Sequence, residues 1–283
     1  MLKNKVIIFT NNERSINIIK TLKKKFKVKL IVSIKKNLNK KLLFEIKKFN
    51  IPIRYLSKNN KKLYDDIKFI NPNFIICAGF TKLIPKKILD LANISAINLH
   101  GGRVPSYLGA STLNWQIINN EKNIYISVLK MNSEIDGGPL IAEKKIKISK
   151  DDYIDSIKKK INLLFPKLCL MALKRQINKV KMTYYPMKQR IYWRQRNKND
   201  SKIDIINSSL LETYNQIRAC SPHDYPAFMI IKNIKYLLFK AKIQNFKSRY
   251  TNKRIIVKKN SLLINFKNKH LLITNFKRLK KTF

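Results

Sequence analysis

The stretch "INLHGGRVPSYLGASTLNW", residues 97–115, holds His100, one of only three histidines in the chain, two residues after Asn98 and directly before a glycine pair. Both polar residues close the apolar run "SAINLH" at 95–100. Side chains two apart on a strand share a face, so a strand here presents an amide beside an imidazole. The Asn98 NH₂ can hold an oxygen that gains negative charge, and His100 can exchange protons near neutral pH. Together they suit acyl transfer to an amine. A third group would orient the imidazole, and Asp136 in "NSEIDGGPL" is the candidate. An aspartate before glycine also serves a plain turn. Ser127, on the run before it, either adds a hydroxyl or is a buried strand serine. No serine or cysteine sits in a nucleophile-elbow context, which favours direct attack by an amine over a covalent acyl-enzyme.

Positioning these residues calls for alternating strands and helices. Apolar runs at 5–10, 28–34, 51–56, 73–79 and 95–100 read as strands. Between them, 13–26, 41–50, about 60–69 and 85–92 read as helices, the first with Ile16, Ile19 and Leu22 at helical spacing. Such alternation predicts an α/β fold with a Rossmann-like, mostly parallel sheet, whose ligands bind at the carboxyl ends of the strands. His100 lies at one such end. A helix at 111–119 and strands at 124–132 and 139–148 follow, linked by "IDGG". A long helix at 151–177, with Asp151 and Asp152 at its start and a kink expected at Pro166, closes a first domain over 1–177. Residues 178–204 are polar, aromatic and aperiodic, the pattern of a linker. A helix at 210–220 and five short strand-like segments predict a smaller β-rich, OB-like domain over 205–283. Neither G-x-G-x-x-G nor a P-loop occurs, which argues against dinucleotide and nucleoside-triphosphate fingerprints.

Composition narrows the partners. The chain has 61 Lys+Arg against 16 Asp+Glu, a formal charge of +45, which would normally point to nucleic acid or an anionic membrane. The lysines are dispersed, however, without the interleaved glycines and aromatics of a single-strand platform. Lys, Asn and Ile also share A/T-rich codons, so base composition accounts for much of the charge. Cys77, Cys169 and Cys220 lie far apart without metal-ligand spacing, as reduced structural cysteines do. No run approaches the ~18 apolar residues of a membrane span and the start has no secretory pattern, so a soluble, cytoplasmic protein is expected.

The segment from "INLHGG" to "AEKKIKI" resembles the 10-formyltetrahydrofolate-dependent formyltransferases, whose members formylate glycinamide ribonucleotide, methionyl-tRNA or amino sugars on nucleotide carriers. Asn98 and His100 match that family's catalytic pair, and Asp136, 36 residues after the histidine, matches its D-x-G aspartate. "GFTKLIPKKIL" (79–89) resembles the segment beside the pterin pocket. The resemblance therefore implies Phe80, Leu83, Ile84, Ile135 and Asp136 as contacts for the formyl donor, 10-formyltetrahydrofolate. Charge complementarity to a phosphorylated acceptor adds Arg103, and position beside the loop adds Tyr107, as acceptor contacts. Leu108 stands where members usually have the arginine of P-x-x-R-G, and Gly137 where Thr or Ser is common.

The second half resembles the extension shared by methionyl-tRNA and sugar formyltransferases. The start "FTNNERS" lacks the G-T-P-x-F of the tRNA enzymes, and "LNW" is similar to the sugar enzymes. A nucleotide-linked amino sugar is therefore the expected acceptor, with methionyl-tRNA as the alternative and a non-catalytic RNA-binding protein on the same scaffold as a remote one. No membrane partner and no metal are expected, and sheet edges leave room for a homodimer. Arg103 would anchor the diphosphate or remain a solvated loop arginine. Trp115 reads as core, His223 as a turn residue and His270 as a strand-surface residue.

Overall fold

The run Val6–Phe9 is wholly buried, as a strand must be when helices cover both faces of its sheet. It makes up most of β1 (Lys5–Phe9) in a computed structural model that describes residues 3–220, 225–245, 254–266 and 269–279. There follow α1 (Ser15–Lys25), β2 (Lys27–Ser33), α2 (Lys40–Lys48), β3 (Ile53–Tyr55), α3 (Lys61–Ile70), β4 (Phe74–Cys77), α4 (Lys86–Leu89) and β5 (Ser95–His100). Next come β6 (Leu108–Gly109), α5 (Thr112–Ile118), β7 (Asn123–Lys130), β8 (Leu140–Lys147), α6 (Ile154–Ile177) and β9 (Tyr192–Trp193). The chain ends with α7 (Leu210–Ala219), β10 (Ala227–Ile231), β11 (Ile234–Asn245), β12 (Arg254–Val257), β13 (Leu262–Phe266) and β14 (Lys269–Arg278).

Two compact units result. The first comprises the chain up to Gly109, Tyr125–Ile146 and Lys159–Tyr192; the second comprises Ala110–Ile124, Lys147–Lys158 and the chain from Trp193 on. The first is built on a seven-stranded sheet of order β3-β2-β1-β4-β5-β7-β8. Strands β1 to β5 pair in parallel, and β7 runs antiparallel to β5. Each helix contributes an apolar stripe: α1 buries Ile16, Ile18, Ile19 and Leu22, and α2 is capped by Asn39, which accepts from the Leu42 N–H. The strand order reverses at β1, so the chain leaves β1 and β4 on either side of a crevice at their carboxyl ends. Asn11 crosses it, its N–H donating to the Gly79 carbonyl at 3.4 Å and its Nδ2 to Thr81 Oγ1 at 3.3 Å. This fixes the 78–84 segment beside the ends of β4 and β5.

The second unit packs α7 on a five-stranded antiparallel sheet of order β10-β11-β14-β13-β12. Tyr214 and Ile217 of α7 share a core with Leu238, Leu262, Ile264 and Leu271. The α7 start has a full capping box between Ser209 and Glu212. His270 corrects the expectation of a surface residue: it is 5% exposed, opposite the equally buried Asn265 across β13 and β14. His223 lies outside the described residues. Trp115 is half-buried in this second unit, its Nε1 donating to the Arg194 carbonyl at 3.0 Å and its ring 5.2 Å from Trp193. No helix among the described residues is long and apolar enough to cross a membrane.

Candidate active site

Strand β5 ends where its sequence turns polar, and register fixes what surrounds that end. Asn98 lies opposite Cys77 of β4, and His100 opposite Ser127 of β7. The loop between β7 and β8 returns Asp136 to the same place at φ 50°, in the left-handed region that costs a non-glycine residue conformational energy. Its side chain is 7% exposed. One carboxylate oxygen accepts from Asn98 Nδ2 at 2.7 Å. The other accepts from the Gly109 N–H at 2.9 Å and faces His100 Nδ1 at 3.3 Å. On the far side of the imidazole, Nε2 lies 2.6 Å from the Tyr107 carbonyl. Two oxygen acceptors thus flank the ring: a neutral imidazole has one N–H for them, and a protonated one serves both.

This closeness explains the glycine after Gly101. A Cβ on Gly102 would collide with both the Tyr107 carbonyl and His100 Nε2. The Ser127 hydroxyl fastens the same turn, donating to the Gly102 carbonyl at 2.7 Å. Behind it, burial pushes the Glu143 carboxyl up, against the opposing pull of Arg103, the Ser127 hydroxyl and the Val104 amide. Arg103 is exposed, its guanidinium 4.8 Å from the Tyr125 ring centre. Burial pushes the Cys77 thiol up to about 12, against the pull of a backbone hydrogen bond at Phe80 and with a smaller rise from the charge of Asp136.

The constellation can polarise a carbonyl through Asn98, whose second N–H is not needed by Asp136, and can move a proton through the Asp136–His100 pair. Two domain models match this chain: formyl transferase over residues 3–173, and the formyl transferase C-terminal domain over residues 196–282. The chain belongs to the formyl transferase family. Among proteins similar to this chain is the bifunctional polymyxin resistance protein ArnA of Wigglesworthia glossinidia brevipalpis. It is 32% identical over 231 residues, which cover 80% of this chain and 34% of that protein. The methionyl-tRNA formyltransferase of Thermodesulfovibrio yellowstonii is 28% identical over 190 residues, 65% of this chain and 60% of that one. The match thus spans about a third of the first relative and under two thirds of the second. In fold, the chain is similar to the N-formyltransferase from Helicobacter canadensis, solved with folinic acid and dTDP-3-aminofucose. The TM-score is 0.70 at 17% identity, over 98% of this chain and 100% of that one.

Of the residues expected to form the site, Asp136 is in contact with both Asn98 and His100. Leu83 and Ile135 are 67% and 53% exposed. Ile84 and Phe80 instead belong to the core beneath, with Phe80 edge-on to Phe9 at 5.4 Å. Tyr107 buries its ring and offers its backbone carbonyl to His100.

The sequence reading missed the backbone of Gly109, the carboxylate of Glu143 and the segment 183–191. In that segment Thr183 pairs with Leu140, and Ile191 pairs with both Pro105 and Leu108. The alternation Arg190–Ile191–Tyr192 was the one local signal of a strand there.

Proposed function

We propose that this formyl transferase moves the formyl group of 10-formyltetrahydrofolate onto the amine of a nucleotide-linked amino sugar by direct attack, with Asn98, His100 and Asp136 as the catalytic residues. The observation that carries the reading is the Asp136 carboxylate, which joins the Asn98 amide and the His100 imidazole at the end of β5. The donor supplies an electrophilic formyl carbon and a leaving nitrogen. Leu83 and Ile135 fit its apolar ring system, and Asn98 holds the carbonyl oxygen as it gains charge. His100 carries the proton that the attacking amine sheds to the leaving nitrogen, with Asp136 keeping the ring aligned. A proton on Nε2 points at the Tyr107 carbonyl, 2.6 Å away, so its transfer to the leaving nitrogen exchanges that acceptor for the substrate. Arg103, exposed on the same loop, is the anchor for the diphosphate. We assign the reacting groups to residues 1–177, with part of the segment 178–204 packed beside them through residues 183–191, and the β-rich part to 205–283.

The amino-sugar acceptor is supported by the loop "HGGRVPSYLGASTLNW" and by the likeness over nearly the whole chain to a protein solved with dTDP-3-aminofucose. Methionyl-tRNA is the second reading, favoured by the charge of +45 and by relatives that carry that name. The test is purified protein with 10-formyltetrahydrofolate, a panel of nucleotide-linked amino sugars and charged methionyl-tRNA. Turnover of a sugar is expected; turnover of the tRNA alone would reverse the assignment.

A further inference from the structure

Two loops, 101–109 and 132–138, frame the Asn98–His100 end of β5, and Arg190 with its neighbours makes contact with both. Glu134 Oε2 lies 2.5 Å from Arg190 Nη1, two residues before Asp136. The Glu134 N–H is itself held by Asn132 Oδ1 at 3.0 Å. Arg190 is fixed in turn: its Nε donates to the Tyr185 carbonyl at 3.0 Å, and Tyr185 packs against the cluster of Val104, Leu108 and Leu129. The next residue, Ile191, donates its N–H to the Pro105 carbonyl at 2.9 Å and accepts from the Leu108 N–H at 3.0 Å. Arg190 therefore connects the loop carrying Asp136 to the loop carrying the Tyr107 carbonyl and the Gly109 amide. Gly137 belongs to the same device. A Cβ there would collide with Glu134 Oε2, lie 2.6 Å from Glu134 Cβ and 3.1 Å from Arg190 Nη1, so any larger residue expels the Glu134 carboxylate.

We infer that Glu134, Gly137 and Arg190 form a positioning clamp that holds Asp136 in its left-handed conformation against Asn98 and His100, resting on the function proposed above. Glu134 is 42% exposed and Arg190 15%, so the pair adds little to folding stability. Its consequence is where the carboxylate sits, and a displacement on the order of 1 Å at such a site costs up to about 10²-fold in rate.

The test compares Arg190→Gln, Glu134→Gln, Gly137→Ser and the double variant R190Q/E134Q with wild type, using whichever acceptor wild type formylates. Each single variant should lower kcat about ten-fold or more, leave the KM for the formyl donor within about two-fold and barely move the melting temperature. Because one clamp is being broken, the double variant should be no worse than either single one. The imidazole ¹⁵N resonances supply a readout that needs no turnover: the His100 signals, assigned with His100→Asn, should shift in each variant while those of His270 stay. Unchanged kcat, additive losses or an unmoved His100 signal overturns the clamp. If wild type formylates no acceptor in the panel, the proposed function falls, and the His100 resonances alone decide whether Arg190 and Glu134 position the site.

Discussion

Asp136 accepts from Asn98 and from the Gly109 N–H and faces His100 Nδ1, all from a backbone conformation that glycine would adopt more readily. Replacing it with asparagine keeps the shape but puts an NH₂ where one of those donors must point, so either Asn98 or His100 loses its orientation. Asp136→Asn and His100→Asn should each lower kcat on the order of 10²-fold or more with little change in donor affinity, since proton transfer and its alignment act mainly in the transition state. Near-normal kcat in steady-state assays would remove them from the mechanism. Asn98→Ala should cost about 2.7–4 kcal/mol of transition-state stabilisation if its free N–H is the oxyanion donor. A matching loss of melting temperature would make its role structural instead. Glu143 contributes a linkage of opposite sign to the usual carboxylate. Burial raises its folded value, so its proton is bound more tightly in the native state. Its stabilising effect is full below the ordinary carboxylate range and is lost as pH rises through the folded value. Glu143→Gln mimics the protonated group, and should melt above wild type at about pH 8 with the gap closing towards about pH 4. A gap that widens on acidification would refute that account.

At the scale of elements, what could be read locally was read well. Strand β5 has the bounds expected of it, Ser95–His100, because an apolar run there stops at a polar pair. The helices α1 and α7 lie within a residue or two of their periodic patterns. The Asn98, His100 and Asp136 contact was legible because strand periodicity fixes two of the three and a turn signal marks the third. The clamp was not, since Arg190 meets Glu134 across 56 residues and nothing in "MKQRIYW" shows which loop it will face. His270 was misjudged for a similar reason: alternation assigns a face to a strand residue, but not what covers that face. Where local signals suffice, their energetic content can be measured. The Ser209 capping box on α7 predicts that Ser209→Ala destabilises the fold by about 0.5–2 kcal/mol in chemical denaturation, with no effect on kcat. An unchanged midpoint would show that tertiary packing alone holds the helix start.

For the molecule as a whole, the excess of 45 positive charges is either a working surface for a polyanion or the imprint of a lysine-rich composition, and salt separates these. An acceptor that is a tRNA engages many phosphates at once, so its apparent affinity falls with a log–log slope of about −0.9 for each duplex phosphate neutralised. With roughly 6–10 such contacts, binding would weaken by about 10³–10⁵ between about 50 and 200 mM salt. A nucleotide sugar brings a diphosphate alone, for which the exposed Arg103 is the anchor proposed above. The acceptor KM should therefore rise only modestly over that range, and kcat should stay level because the buried Asp136–His100 pair is shielded from counterions. A steep dependence with methionyl-tRNA, and no turnover of any amino-sugar nucleotide, would make the charge functional and the tRNA the substrate.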